Sequence, residues 1–320
     1  MKAIVYYQYG GPEVLEYVEL PTPEPTNNEV LVKIGASGLN PVDTYFRAGI
    51  RPVASFPHIP HFDLAGTIVK IGSDVTKWKV GDRVWATNVS GTAAEYQTVH
   101  EEKLFPLPEH LSFAEGAALA MAFMTAHLAL FARGQLTSHE TVLIYGASGA
   151  VGQAAVQLAK EAGATVIATA SNDEKAQIAK EAGADHVILY RSENIVERVN
   201  EITGGDGVPL ILDMSLSDNI ENNFEILKNK GRVVTIGSPN NNTPALPWRL
   251  LNSKNASLQG ILLFTAEPDE WQFAGEAISQ GFANKKLTAH VGAEFPLADA
   301  QIGHAALAVK KYNGSIVFIP

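Results

Sequence analysis

The sequence predicts a two-domain α/β chain in which a β-rich lobe of short strands accompanies a doubly wound parallel sheet. Three observations carry that expectation. The chain has 320 residues, more than a single core serving roughly 100 to 200 residues needs. Its first third is a succession of short apolar runs broken by Pro and Gly, and its middle alternates β-branched runs with helix-forming stretches. Apolar residues make up 46% of the chain and charged residues 18%, which supplies material for two cores and argues against extended disorder.

Residues 1 to 116 contain KAIVYY, LEYVEL, EVLVKIGA, GTIVKIG, DRVWAT and AEYQTV, punctuated by segments such as PTPEPTNN. β-branched and aromatic runs of this length, bounded by turn formers, read as strands. The second lobe spans 117 to 265. Its strands are TVLIYG (141–146), TVIAT (165–169), HVILY (186–190), VPLILDM (208–214), RVVTIG (232–237) and SLQGILLF (257–264); helices are expected over 150–162, 173–182, 193–202 and 219–229. Strand, helix, strand in repetition needs right-handed crossovers and gives a parallel sheet covered on both faces. The tail, 266 to 320, holds the amphipathic stretch EWQFAGEAISQGF, a helix within PLADAQIGHAALAVKK and a closing strand GSIVFIP. It reads as a return to the first lobe.

Composition excludes several functions. Lys and Arg total 24 against 34 Asp and Glu, a net charge of −10, so the surface repels phosphate backbones and anionic membranes and nucleic acid is not an expected partner. With no cysteine, disulfides, thiolate nucleophiles and Cys-ligated zinc are ruled out. The opening MKAIVYYQYG lacks the apolar block and cleavage site of a secretory signal. The longest apolar stretch, over 117–131, is interrupted by His127 and closes at Arg133, short of the roughly 18 consecutive apolar residues of a membrane span. A cytoplasmic location is expected.

The strand TVLIYG runs into Ala147-Ser148-Gly149-Ala150-Val151-Gly152 and then the helix-forming QAAVQLAKEAG. Small residues in such a turn let the backbone approach a pyrophosphate, whose charge is stabilised by free amides and by the positive end of the helix. Ala147 stands where the fingerprint's first glycine usually is, and taken alone the string is also compatible with a plain strand-to-helix turn. An acidic residue about 20 positions on would hold the ribose of NAD. Here the strand tip is Thr169-Ala170-Ser171, with Lys175 shortly beyond. No carboxylate repels a 2′-phosphate there, so NADPH (NADP) is the expected cofactor, although Asp173 and Glu174 flank the lysine.

GLNPVDTYFRAG (38–49), Asp63-Leu64-Ala65-Gly66, Gly81-Asp82-Arg83-Val84, GASGAVGQAAVQLAK, IGSP (236–239) and GILLFTA (260–266) together resemble the zeta-crystallin type of quinone oxidoreductase, a zinc-free branch of the medium-chain dehydrogenase/reductase superfamily. The resemblance covers nearly the whole chain. It implies a GroES-like catalytic lobe, a Rossmann lobe, a cleft between them, and homodimers or homotetramers joined partly through Rossmann edge strands. Zinc alcohol dehydrogenases of the superfamily carry a catalytic Cys near position 40 and a His-Glu pair near position 62, where this chain has Asn40, Phe62 and Asp63. No metal site is therefore expected. His58 and His61 lack a third ligand and read as loop histidines contacting solvent or substrate; His61 stands where the family usually has glycine. Asp82 and Arg83 read as turn-fixing residues.

The resemblance also implies cofactor contacts. Asn40 and Tyr45 would approach the nicotinamide, and Thr125 its ribose. Ser148, Gly149, Ala150 and Val151 would cradle the pyrophosphate, and Ser171, Lys175 and Tyr190 would surround the 2′-phosphate. Ile236, Gly237 and Ser238 with Leu262, Leu263 and Phe264 would line the nicotinamide pocket, and Lys310 could reach the cofactor. Each has a plainer role open to it: Tyr190 as a strand aromatic, Phe264 as core, Asn40 as a turn former before Pro41. Quinones and conjugated carbonyls are electrophilic without a Lewis acid, whereas ordinary alcohol oxidation needs one or a strong base. Reduction of a quinone or enone is thus preferred, with Tyr45 as the candidate for orienting or protonating the acceptor. An enone or enoyl thioester reductase is the alternative among enzymes. A non-catalytic NADPH-binding protein, structural, regulatory or redox-sensing, is the alternative of another class.

Overall fold

The computed structural model describes residues 1–320. The chain divides into two units, Met1–Ala122 with Gly275–Pro320, and Phe123–Ala274. Each division falls inside a helix, Phe113–His127 and Pro268–Ala283, rather than at the composition changes near 117 and 266.

In the first unit β1 (Lys2–Val5) and β2 (Glu16–Glu19) form an antiparallel pair. The larger sheet is built on β3 (Glu29–Leu39), followed by α1 (Pro41–Arg47), β4 (Asp63–Ile71), β5 (Arg83–Ala86), β6 (Tyr96–His100) and β7 (Phe105–Pro106). Alternation along β3 buries Val30, Val32 and Ile34 against Leu64, Ile68, Val84 and Val99. The β3/β4 register slips twice, and Gly66 lies beside the second slip. A Cβ there would stand 2.2 Å from the Lys33 carbonyl oxygen, so only glycine fits. α1 opens with Asn40 as N-cap and Pro41 in the first turn, where the missing N–H costs nothing. The turn residues behave as expected: Asp82 Oδ2 accepts the Lys79 N–H, and Arg83 donates to the carbonyls of Pro108 and Leu111.

α2 (Phe113–His127) begins with a capping box, in which Ser112 Oγ accepts from the Glu115 N–H and Glu115 accepts from the Ser112 N–H. Helical turns continue to Arg133. The whole run Phe113–Arg133 has a mean hydropathy of 1.4 over its most apolar window and is long enough to cross a membrane, which corrects the expectation that no run approaches a span. The window is 89% buried inside the protein, the pattern of a core helix.

The second unit carries β8 (Thr141–Ile144), α3 (Ala150–Glu161), β9 (Thr165–Ala170), α4 (Asp173–Glu181), β10 (His186–Leu189), α5 (Ile195–Thr203), β11 (Val208–Asp213), α6 (Leu216–Ile226), β12 (Leu227–Thr235), α7 (Trp248–Ser253) and β13 (Ser257–Gly260). The six strands are all parallel in the order β10-β9-β8-β11-β12-β13. This is the doubly wound order whose switch point lies between the first and fourth strands of the unit. Leu143, Ile167, Ile188, Ile211 and Val233 make the core with Phe224 and Val199 of the covering helices.

Two expectations fail locally. The helix expected over 219–229 spans Leu216–Ile226, because Leu227 already pairs with Val208 and the ladder claims it for β12. The strand expected over 257–264 stops at Gly260, and Leu263–Thr265 form a single 3-10 turn. The chain then forms α8 (Pro268–Ala283), β14 (Val291–Pro296), α9 (Ala300–Ala308) and β15 (Ser315–Ile319). β15 pairs with β3 and with β14, so the C-terminal residues close the first unit's sheet.

Candidate functional site

In the second unit the chain leaves β8 through Tyr145 and Gly146, which takes φ 61°, a left-handed angle that glycine adopts without penalty. The Gly149 N–H closes the turn on the Gly146 carbonyl at 3.0 Å. α3 starts at once, and Ala150 takes the first helical position with no left-handed angle. The Ala150, Val151 and Gly152 N–H groups stand in the first turn, where no intrahelical partner exists. Gly152 lets α3 sit tightly on the turn: a Cβ would come within 2.3 Å of the Gly146 carbonyl and 2.7 Å of Ala147 Cα. A Cβ on Gly149 would meet only the Gly146 oxygen at 3.4 Å. Ser148 is buried, and its carbonyl accepts from Gln153 Nε2 at 2.8 Å. The cradle is tight beneath and open above, which fits a pyrophosphate.

At the tip of β9, Thr169 is buried and its hydroxyl accepts the Gly146 N–H at 3.3 Å, tying the second strand to the glycine turn. Asn172 caps α4 by accepting the Lys175 N–H. Ser171 and Lys175 are half-buried and Tyr190 is exposed; Ser171 and Tyr190 follow the paired ends of β9 and β10, and Lys175 stands in the first turn of α4. The Tyr190 N–H reaches the Ala170 carbonyl at 3.2 Å.

At the switch point, β11 ends in buried Asp213, whose carboxylate accepts from the Ser215 N–H, Asn219 Nδ2 and Asn223 Nδ2 at 2.8, 2.9 and 2.6 Å. Burial raises its pKa. The Ile236 N–H bonds to the Asp213 carbonyl, the Gly237 carbonyl accepts from Leu216 N–H, and Ser238 Oγ accepts from Ser217 N–H. Residues 236–238 are therefore fixed by the start of α6, a role for Asp213 and Ser217 that no motif in the sequence announces. Around the 3-10 turn Leu262 is exposed, Leu263 is buried and Phe264 is half-buried. Thr125 is buried on α2.

In the first unit Asn40 and Tyr45 share α1, both half-buried. The Asn40 N–H donates to Asp43 Oδ2 at 2.6 Å, and Asn40 Nδ2 donates to Asp63 Oδ2 at 2.7 Å. The Met121 N–H adds a third bond, to Asp63 Oδ2 at 3.2 Å. Both acids are buried. Burial pushes Asp63 up to about 7 against the opposing influence of the nearby Thr87 hydroxyl and the hydrogen bonds from Asn40 and Met121, and raises Asp43 well above the usual carboxylate range. Lys310 is exposed just beyond α9 at φ 51°.

His61 is not a solvent-facing loop histidine. It is 1% exposed, because its ring belongs to a buried chain running from Arg47 Nη1 to His304 Nδ1 (2.7 Å), His304 Nε2 to His61 Nε2 (3.0 Å), His61 Nδ1 to Ser37 Oγ (3.0 Å) and Ser37 Oγ to Thr92 Oγ1 (3.3 Å). Its φ of 71° explains why glycine suits the position. His58 instead meets the Tyr6 ring edge-on, so the two histidines serve different contacts.

Residues 26–109 match the alcohol dehydrogenase GroES-like domain, and residues 150–280 match the zinc-binding dehydrogenase family. The chain is 35% identical over 309 residues to the quinone oxidoreductase of Sus scrofa, covering 95% of this chain and 93% of that one. A solved Escherichia coli quinone oxidoreductase complexed with NADPH superposes with a TM-score of 0.91 at 33% identity, covering 100% of both chains. A solved NAD-dependent alcohol dehydrogenase superposes with a TM-score of 0.93 at 30% identity, again over 100% of both.

Proposed function

Since this chain belongs to the quinone oxidoreductase family of the medium-chain dehydrogenase/reductase superfamily, we propose that it reduces quinones or related activated carbonyl and alkene acceptors with NADPH, without zinc. The observation that carries this reading is the cradle from Gly146 to Gly152, closed beneath by backbone that a Cβ would strike and open to an anion above. When bound, the reduced nicotinamide supplies the hydride, converting NADPH, a proton and a quinone to NADP and a hydroquinone.

The chain's own groups bind, orient and shield. In the second unit Ser148, Gly149, Ala150 and Val151 hold the diphosphate, and Ser171, Lys175 and Tyr190 hold the 2′-phosphate. Residues Ile236, Gly237 and Ser238, with Leu262, Phe264 and Thr125, serve the nicotinamide half, and buried Leu263 supports them as packing. From the first unit Asn40 contacts the nicotinamide, Lys310 reaches the cofactor, and Tyr45 orients the acceptor and delivers a proton to its oxygen. Of the residues at the positions the zinc enzymes use, Asn40 and Phe62 are not zinc ligands and Asp63 alone is a donor, short of the three protein ligands a catalytic zinc needs for the Lewis-acid route to alcohol oxidation. We place the protein in the cytoplasm, as a homodimer or homotetramer.

A steady-state comparison of NADPH and NADH against quinones, enones, enoyl thioesters and simple alcohols tests the proposal. NADPH with quinones or enones is expected to lead. Preference for NADH with an alcohol would overturn it, and binding without turnover of any acceptor would favour the non-catalytic reading.

A further inference from the structure

Two buried carboxyls meet one half-buried residue in the first unit, Asp43 at the Asn40 backbone and Asp63 at its side chain. Asp43 has a local reason to be there, since it caps α1 by accepting the Asn40 N–H. Asp63 has none. It opens β4 with 2% of its surface exposed, and burying an acid is costly unless its bonds offset the loss of water. Those bonds come from Asn40 Nδ2 and the Met121 N–H, both on Oδ2. Because an ionised carboxylate only accepts, Nδ2 faces Asp63, and Oδ1, which the capping box turns toward the Asp43 N–H, keeps its second lone pair for a further N–H donor.

The groups facing the Asp63 carboxyl are Asn40 and Asp43 from the α1 side, Thr87 just past β5, and the Met121 backbone of α2. Thr87 lies close enough to favour the charged form, yet neither its hydroxyl nor Asp63 Oδ1 makes a bond of ordinary geometry. A proton arriving on the carboxyl therefore goes to Oδ1, and Oδ2 is left as a neutral, weaker acceptor for the amide.

We propose that Asp63 is a positioning residue which orients Asn40 to receive the carboxamide N–H of a reduced nicotinamide, gripping firmly when ionised and loosely when protonated. This rests on the cofactor reading given above. A hydrogen bond to a charged acceptor outweighs one to a neutral acceptor by about tenfold in an equilibrium constant. Only the part of that difference gained by holding Asn40 in its receiving orientation reaches the ligand, so affinity for the nicotinamide half rises by up to that factor as pH increases through neutrality, where the carboxyl titrates near 7.

Fluorescence titration with NADPH across neutral pH, alongside adenosine 2′,5′-bisphosphate, separates the parts. The bisphosphate carries the same titrating 2′-phosphate and no nicotinamide; its 5′-phosphate monoester, a diester in NADPH, also titrates near about 6, so the difference between wild type and variant at each pH is the reading that decides. Wild type is expected to bind NADPH more tightly on the alkaline side, by up to about tenfold after normalisation to the bisphosphate. Asp63→Asn should flatten that rise and weaken NADPH at alkaline pH by about the same factor, with the bisphosphate unchanged. Asn40→Ala should flatten it too, and decides the matter alone if thermal melting shows Asp63→Asn to be unfolded. A variant that folds and keeps the wild-type pH dependence overturns the inference, as does an equal loss for both ligands. A wild type that ignores both ligands fails differently, by removing the cofactor reading itself.

Discussion

Arg47 can only donate a hydrogen bond, and that fact orders the buried chain it begins. His304 must accept at Nδ1 and so carries its proton on Nε2; His61 must accept at Nε2 and so donates from Nδ1 to Ser37. Both rings are locked neutral, and burial holds His61 down to about 3 and His304 well below its ordinary value. Because the folded pKa values lie below the unfolded value of about 6.5, the unfolded chain takes up protons first and stability falls as pH drops below that point. Asp43, Asp63 and Asp213, whose folded values are raised, act in the opposite sense, so the comparison must be with a variant. His304→Gln should cost about 1 to 3 kcal/mol at neutral pH by leaving Arg47 and His61 poorly paired. Urea unfolding should show that difference shrinking by about 1.4 kcal/mol per pH unit as pH falls from 6 toward 4. A second prediction concerns Lys175: replacement by Ala should weaken NADPH by about tenfold or more while changing NADH by less than about threefold, as read by fluorescence titration. At this scale the sequence was legible only in part. His61 stood out as a departure, but its partner His304 lies 243 residues away, and nothing local links the two. The Asp63–Asn40 contact was hidden for the same reason, although both residues lie in segments whose identity was readable.

Among the elements, α3 and the turn before it have the clearest sequence signature because the physical requirement is local: strand, small residues, helix, with one glycine where the helix meets the turn. Gly152→Val should push its side chain into the Gly146 carbonyl, lower the melting temperature, and weaken NADPH by about tenfold or more, since a misplacement of about an ångström carries penalties of that order. Gly149→Ala should be mild, because its Cβ meets one oxygen at 3.4 Å and its φ is −78°. Equal damage from both substitutions, measured by calorimetric titration, would contradict the distinction. The parallel strands were readable through their β-branched runs, since each is covered on both faces and repeats the same pattern. Their ends were not. Leu227 continues a helical pattern in sequence yet pairs with Val208 in the fold, and the apolar run ILLF reads as extended although Gly260 ends the ladder. β14 (Val291–Pro296) was missed because its residues are largely half-buried or exposed and show no apolar alternation.

For the whole molecule, the two units and a net charge of −10 agree with an enzyme acting on small molecules rather than on nucleic acid. β13 ends the parallel sheet with no strand beyond it, and Leu246, Trp248 and Leu250, shortly before it in sequence, are exposed. An uncovered edge strand invites pairing with a second copy. Sedimentation should therefore give a dimer or tetramer, and Trp248→Lys should shift it toward monomer. The doubly wound order and the C-terminal return to β3 were legible in outline, whereas the apolar length of Phe113–Arg133 was underestimated because His127 breaks the run by residue type and not by mean hydropathy. The most direct test of the account is anaerobic turnover of NADPH with a small quinone in the presence of a metal chelator, following both reactants together. One NADPH consumed for each hydroquinone formed, undiminished by the chelator, is the expected result; no consumption of NADPH, or turnover that the chelator abolishes, would contradict it.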